Sequence, residues 1–101
     1  MDTPDAVKHG LGIASLGVGA VGIVKPEFPA RLTGAAIAEA RGLGFRDLAV
    51  GITIYAHPRV GLAQRAIVDI GDAVTFAKRK PAVAAVAVGS AALAVYALTR
   101  A

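Results

Sequence analysis

The chain is short, apolar and basic, and these properties exclude several classes of protein. Its 101 residues are 55% hydrophobic and 18% charged, with a formal net charge of +4 at pH 7, whereas soluble domains carry about 25% charged residues. Cysteine is absent, which excludes disulfides, thiolate metal sites and thiol nucleophiles. The length fits a single domain over residues 1–101.

The first apolar run covers residues 6–24 and is rich in glycine. Lys25, Pro26 and Pro29 follow it, and the prolines oppose continuation of a helix, so we predict a first membrane span that ends before Lys25. A signal peptide is the competing interpretation, but no clean small-x-small cleavage motif follows the run. Small side chains are expected to allow close helix packing, within one chain or between two copies in a dimer. They are Gly10, Ala14, Ser15 and Gly19.

The middle of the chain holds one mixed segment and two further apolar runs. Residues 31–41 alternate polar and apolar side chains and are predicted to form a short helix at the membrane interface. A second span is predicted over residues 43–57, where Pro58 ends it, and a third over residues 60–77. Because only a few residues separate these two spans, they are expected to be antiparallel neighbours.

The last apolar run, residues 82–98, contains no charged side chain and follows Lys78, Arg79 and Lys80. With its flanks it extends about 27 Å as a helix, close to the bilayer hydrocarbon thickness of about 30 Å. A soluble bundle needs a polar face on each helix, and this run has none. The predicted fold is therefore all-α, with four transmembrane helices in an antiparallel bundle and a short interfacial helix between spans one and two.

The basic residues indicate the orientation of the spans. They are concentrated in two links, between spans one and two and between spans three and four, and both links are expected in the cytoplasm. With an even number of spans, both termini then lie outside the cytoplasm of a bacterial inner membrane. Basic side chains at the ends of apolar runs favour anchoring at the bilayer surface over nucleic-acid binding. Those in the two links are Lys25, Arg31, Arg41, Lys78, Arg79 and Lys80.

Charged side chains within spans two and three form the candidate site, because charge in a bilayer is costly and usually faces a polar interior. Arg65, Asp69 and Asp72 are spaced i, i+4 and i+7, so they share one face of span three. If the chain rises equally on both sides of the turn between these spans, Arg46 lies level with residue 71. We therefore predict that Arg46 bridges Asp69 and Asp72.

The charges within these spans do not balance. Two arginines, Arg46 and Arg65, stand against three aspartates, Asp47, Asp69 and Asp72. One carboxyl group is left without a full partner, and in a nonpolar interior it is expected to hold a proton. The three aspartates are therefore the candidate acid/base residues. No metal site and no cofactor are predicted. The candidate binding residues are Arg46, Arg65 and Tyr55.

Two segments carry a resemblance to a known family. Residues 41–51 read Arg-Gly-Leu-Gly-Phe-Arg-Asp-Leu-Ala-Val-Gly, and residues 69–72 read Asp-Ile-Gly-Asp. The chain resembles a family of small four-helix membrane proteins of bacteria and fungi that is defined as a domain of unknown function. The likeness extends over roughly the whole chain, and its specific part is confined to the Arg-Asp and Asp-x-x-Asp motifs. It implies a four-span fold and no particular activity.

Three classes of function fit these features. The leading one is a structural or accessory membrane protein, in which the buried arginines and aspartates fix the register of the helices. The first alternative is an intramembrane acid–base enzyme, of isomerase, cyclase or hydrolase type, that acts on a lipophilic small molecule. The second is a small oligomeric proton-coupled transporter, although span one lacks the acidic residue typical of small multidrug exporters. The expected partners are the lipid bilayer and either a second copy of the chain or another membrane subunit.

Overall fold

The computed structural model describes residues 2–101, which form five α-helices and no strand. The predicted all-α class is confirmed. Within the described residues, α1 and α5 are the helices long and apolar enough to cross a membrane, as judged by length and composition. The remaining long helices, α3 and α4, each contain four charged side chains. The helices are α1 (Thr3–Val24), α2 (Glu27–Thr33), α3 (Ile37–Ala56), α4 (Pro58–Phe76) and α5 (Pro81–Thr99).

Capping and proline residues fix where the long helices begin. The Asp2 carboxylate accepts a hydrogen bond of 2.9 Å from the Asp5 backbone N–H and so caps α1. Pro58 and Pro81 are the first residues of α4 and α5, where the missing N–H leaves no hydrogen bond unmade. Each helix therefore begins slightly earlier than the span predicted from hydrophobicity.

The predicted position of the interfacial helix, residues 31–41, is wrong. The short helix is α2 (Glu27–Thr33), and Pro29 is tolerated because it lies in the first turn. Gly34 follows α2 with a φ of 73°, a left-handed conformation that glycine adopts readily and that ends the helix. Residues 37–41 belong to the start of α3 instead, so the second long helix is longer than the predicted span.

The long helices pack mainly as two pairs, α1 with α3 and α4 with α5. Glycines bring α1 and α3 close together, since a Cβ built on Gly44 would lie 2.8 Å from the carbonyl carbon of Gly22. The pairs meet at the α3–α4 turn, where Gly61 packs on the backbone of Ile54. The apolar core lies at this end of the bundle and includes the fully buried side chains of Ile54 and Leu62.

The small residues of α1 contribute to packing within the chain. Ser15 and Gly19 are buried, and a Cβ on Gly19 would lie 2.5 Å from the backbone nitrogen of Leu48. Of the two predicted alternatives, close packing within the chain is confirmed at Gly19, which α3 covers, and packing between two copies stays a prediction. Gly10, by contrast, has open space around its Cα.

Large apolar side chains cover the outer surface of all four long helices. The charged side chains of Asp47, Arg65 and Asp69 are buried between the helices instead. This distribution is the reverse of the usual one in soluble proteins, where charged residues are almost always exposed. Examples on α1, α3, α4 and α5 in turn are Ile13, Ile52, Ile67 and Val88, which are 55–69% exposed.

Candidate functional site

The first half of the site is an ion pair between α3 and α4. Both terminal nitrogens of Arg46 donate to Asp72, with Nη1–Oδ1 at 2.9 Å and Nη2–Oδ2 at 2.8 Å. The predicted pairing of Arg46 with Asp72 is confirmed. Arg46 also donates from Nε and Nη2 to Oδ1 of Asp47, at 3.3 and 3.1 Å. A planar guanidinium can satisfy two carboxylates in this way because its N–H groups point in several directions.

The second half of the site is centred on Arg65, which is more deeply buried. Its Nη2 donates to Oδ1 of Asp69 at 2.8 Å, and the two side chains are 8% and 6% exposed. Its Nη1 donates to Oδ1 of Asp47 at 3.2 Å. The prediction that Arg46 also reaches Asp69 is wrong. Arg65 lies one helical turn before Asp69 on the same face of α4, so it takes that carboxylate first.

Ser15 on α1 is a member of the site that sequence reasoning missed. Its hydroxyl accepts a hydrogen bond of 3.1 Å from Nη1 of Arg65. A serine within an apolar helix usually bonds to its own backbone, and the sequence predicted for Ser15 a place in close helix packing. Spacing along the chain carried no signal for this contact, because α1 and α4 are not consecutive and their relative depth is unknown from the sequence.

Tyr55 lies apart from the charged cluster, which we define as Arg46, Asp47, Arg65, Asp69 and Asp72. The centroid of the Tyr55 ring lies 5.5 Å from that of the His9 ring, and the Tyr55 hydroxyl is 3.4 Å from Nδ1 of His9. Tyr55 is near the end of α3, more than two turns beyond Arg46. The structure therefore does not bring this predicted binding residue to the cluster.

An open cavity of about 540 Å³ lies beside the charged cluster, between the α1–α3 pair and the α4–α5 pair. All five members of the cluster line it, and Pro29 and Thr33 of α2 line it near the links. The cavity is on the side of the cluster away from the packed α3–α4 turn. Apolar side chains supply most of the remaining wall, among them Val18, Leu43, Phe76, Val83, Val86 and Leu93.

Two carboxylates of the cluster keep an oxygen without a hydrogen bond from residues 2–101. Oδ2 of Asp69 is buried and has no partner. Oδ1 of Asp47 accepts all three N–H groups that reach this side chain, and its Oδ2 accepts none. Arg65 also keeps one buried donor, Nε, without a partner. The cluster is therefore held together by ion pairs but is not saturated, and unsaturated polar atoms can bind a proton or a ligand group.

No family model, curated protein or solved structure matches the chain. Charge, burial and cavity shape are therefore the observations that bear on the roles of the site residues.

Proposed function

We propose that the protein is an integral membrane protein in which α1, α3, α4 and α5 all cross the bilayer. These helices contain 19 to 22 residues, or about 28–33 Å, which matches the hydrocarbon thickness of about 30 Å. The apolar outer faces of α3 and α4 support this proposal as much as those of α1 and α5 do. The charges that lower the hydropathy of α3 and α4 include the cluster, whose members bond to one another inside the bundle.

The basic links support an orientation with both termini outside the cytoplasm of a bacterial inner membrane. The links before α3 and before α5 carry Lys25, Arg31, Lys78, Arg79 and Lys80. They lie together, since Nη2 of Arg79 donates to the Gly34 carbonyl at 3.3 Å. Basic loops are retained on the cytoplasmic side. Phe28 and Leu32 of α2 are exposed, as expected of a short helix that rests on the bilayer surface.

Single-cysteine labelling tests this topology, because the chain has no cysteine of its own. We expect Asp2→Cys to react with a membrane-impermeant maleimide in intact bacterial cells. Lys80→Cys should react only after the cells are permeabilised, because its link is on the cytoplasmic side. Labelling of Lys80→Cys in intact cells would contradict the proposed orientation.

Within this membrane setting, we propose that the protein binds a lipophilic small molecule in the cavity. The observation that carries the proposal is the cavity itself, which is mostly apolar and has an incompletely paired carboxylate, Asp69, in its wall. Ligand sites of about 300–1,000 Å³ typically combine apolar walls with a few polar groups that orient the ligand. A purely structural network is expected to be fully paired, and this one is not.

The same carboxylate supports acid–base chemistry as a second candidate function. A carboxyl group that is buried beside a bound lipophile can exchange a proton with it if its oxygen is not already engaged. Oδ2 of Asp69 meets that condition among the described residues, whereas both oxygens of Asp72 accept from Arg46. Asp69 and Asp47 are therefore the stronger candidates for the acid and the base, and Asp72 the weaker one.

Filling the cavity tests the binding proposal. We expect a dodecyl alcohol that carries an aliphatic diazirine to photolabel the cavity residues of the protein in phosphatidylcholine nanodiscs. Gly89→Trp should reduce that labelling at least about fivefold, because Gly89 lines the cavity and has room for a side chain. Labelled residues are identified by peptide mass spectrometry.

Gly71→Trp is the matched control for this experiment. Gly71 also has open space around its Cα and is also within a helix, but it does not line the cavity. Labelling of cavity residues that is equal in both variants would refute the binding proposal, as would labelling confined to the outer faces of the helices.

A further inference from the structure

With all of its carboxyl groups ionised, the charged cluster carries one more negative than positive charge beside the proposed ligand cavity. Arg46 and Arg65 are the cations among the residues that line it, and both are already engaged with carboxylates. The other helices contribute no compensating charge, because the lining residues of α1, α2 and α5 are uncharged. Among the described residues outside α3 and α4, Ser15 hydrogen-bonds to the cluster, with its hydroxyl accepting from Arg65.

Asp47 is the carboxylate through which the surplus negative charge can act on a ligand in the cavity. This side chain lines the cavity and is 12% exposed. Its Oδ1 is surrounded by three N–H groups, while its Oδ2 receives none from the described residues. The side chain of Asp69 is more than nine-tenths buried, and its own Oδ2 is inaccessible and unpartnered. The free Oδ2 of Asp47 is a hydrogen-bond acceptor, which calls for a donor on the ligand.

We infer that the ligand of this cavity is a lipophilic cation, an ammonium group attached to an apolar body. This inference rests on the proposed ligand-binding function. The ammonium donates to Oδ2 of Asp47 and neutralises the surplus charge, while the apolar body lies against Val83, Val86 and Leu93 of α5. Attraction between opposite charges is several times stronger at the low effective dielectric of such a site than in water.

Other ligand classes fit the same atoms less well. A carboxylate or phosphate offers only acceptors and is repelled by the surplus charge of the aspartates. A neutral alcohol can donate a hydrogen bond to Asp47, but it leaves the negative charge uncompensated in a nonpolar interior. Because of charge balance, an amine is therefore expected to bind more tightly than an alcohol of the same chain length.

Competition for the diazirine alcohol in phosphatidylcholine nanodiscs at pH 7 tests the inference with a chain-matched series. We expect dodecylamine to compete at about tenfold lower concentration than dodecanol, with dodecanoate the weakest of the three. Asp47→Asn should bring the amine and the alcohol to similar competing concentrations. Asp5→Asn is the control, because that carboxylate is exposed, pairs with Lys8 and lies outside the cavity.

The outcomes separate this inference from the binding proposal on which it rests. If dodecanol competes as well as dodecylamine, or if the preference for the amine survives Asp47→Asn, the inference is wrong, although the cavity still binds a lipophile. If the alcohol probe never labels the cavity, both proposals fail. Comparison of dodecylamine, dodecanol and dodecanoate on the unmodified chain tests the preference for a cation even if an Asn variant does not fold.

Discussion

Replacing Arg65 with methionine is expected to lower the free energy of unfolding by about 3–5 kcal/mol, the usual effect of removing one partner from a buried ion pair. Arg65 bonds to Asp47, Asp69 and Ser15, so its loss leaves two buried carboxylates with fewer donors. Methionine has a similar length and flexibility, so little of this effect arises from an empty volume. The measurement is unfolding by SDS titration in mixed micelles.

A double variant distinguishes charge from packing in this experiment. Arg65→Met combined with Asp69→Leu removes a cation and an anion together, and should recover part of the stability lost in Arg65→Met alone. Arg59→Met is the control, because Arg59 is on the same helix, is exposed and makes a single hydrogen bond of 3.4 Å. It should change the free energy of unfolding by less than about 0.5 kcal/mol. Strictly additive losses in the double variant would show that Arg65 and Asp69 do not stabilise one another.

Gly19→Leu is the second substitution expected to have a large effect. Even a Cβ at this position would lie 2.5 Å from the Leu48 nitrogen and 2.8 Å from the Gly44 carbonyl oxygen, so α1 and α3 would have to separate. Overpacking usually costs about 1–3 kcal/mol and sometimes more. Backbone atoms cannot move aside as a flexible side chain can, so we expect a loss of about 3 kcal/mol or more for Gly19→Leu.

Gly17→Leu provides the matched control for this prediction. It lies two residues away on the same helix, is exposed, and has nothing within 4 Å of its Cβ position. Leucine also favours helix over glycine, so Gly17→Leu should keep or slightly raise the stability. Equal unfolding curves for the two variants would contradict the close contact between α1 and α3.

The helices could be predicted from the sequence because their ends are marked by particular residues. Pro58 and Pro81 separate the long helices, and the apolar runs between such residues are long enough to be recognised. The position of α2 could not be predicted in this way. It depends on the left-handed conformation of Gly34, and a glycine in a polar link does not reveal which backbone conformation it adopts.

Contacts in the charged cluster were predictable only between residues on one helix or on two helices joined by a short turn. Arg46 and Asp72 are on helices joined by a short turn, so their depths could be compared by counting residues. The pair of Arg65 with Asp69 follows from i, i+4 spacing on one helix, and this local competitor was not considered for Asp69. Ser15 could not be found, since its contact depends on how α1 packs against the rest of the bundle.

Asp47 connects the two halves of the cluster through a single atom. Its Oδ1 accepts from Arg46, which bonds to Asp72, and from Arg65, which bonds to Asp69. A ligand that withdraws electron density from Asp47 would weaken both contacts at once, and the contact with Arg65 ties α3 to α4 beyond their turn. By thermodynamic reciprocity, any force that changes the spacing of α3 and α4, such as a change in the thickness of the proposed bilayer, would then change the affinity for the proposed ligand by the same coupling.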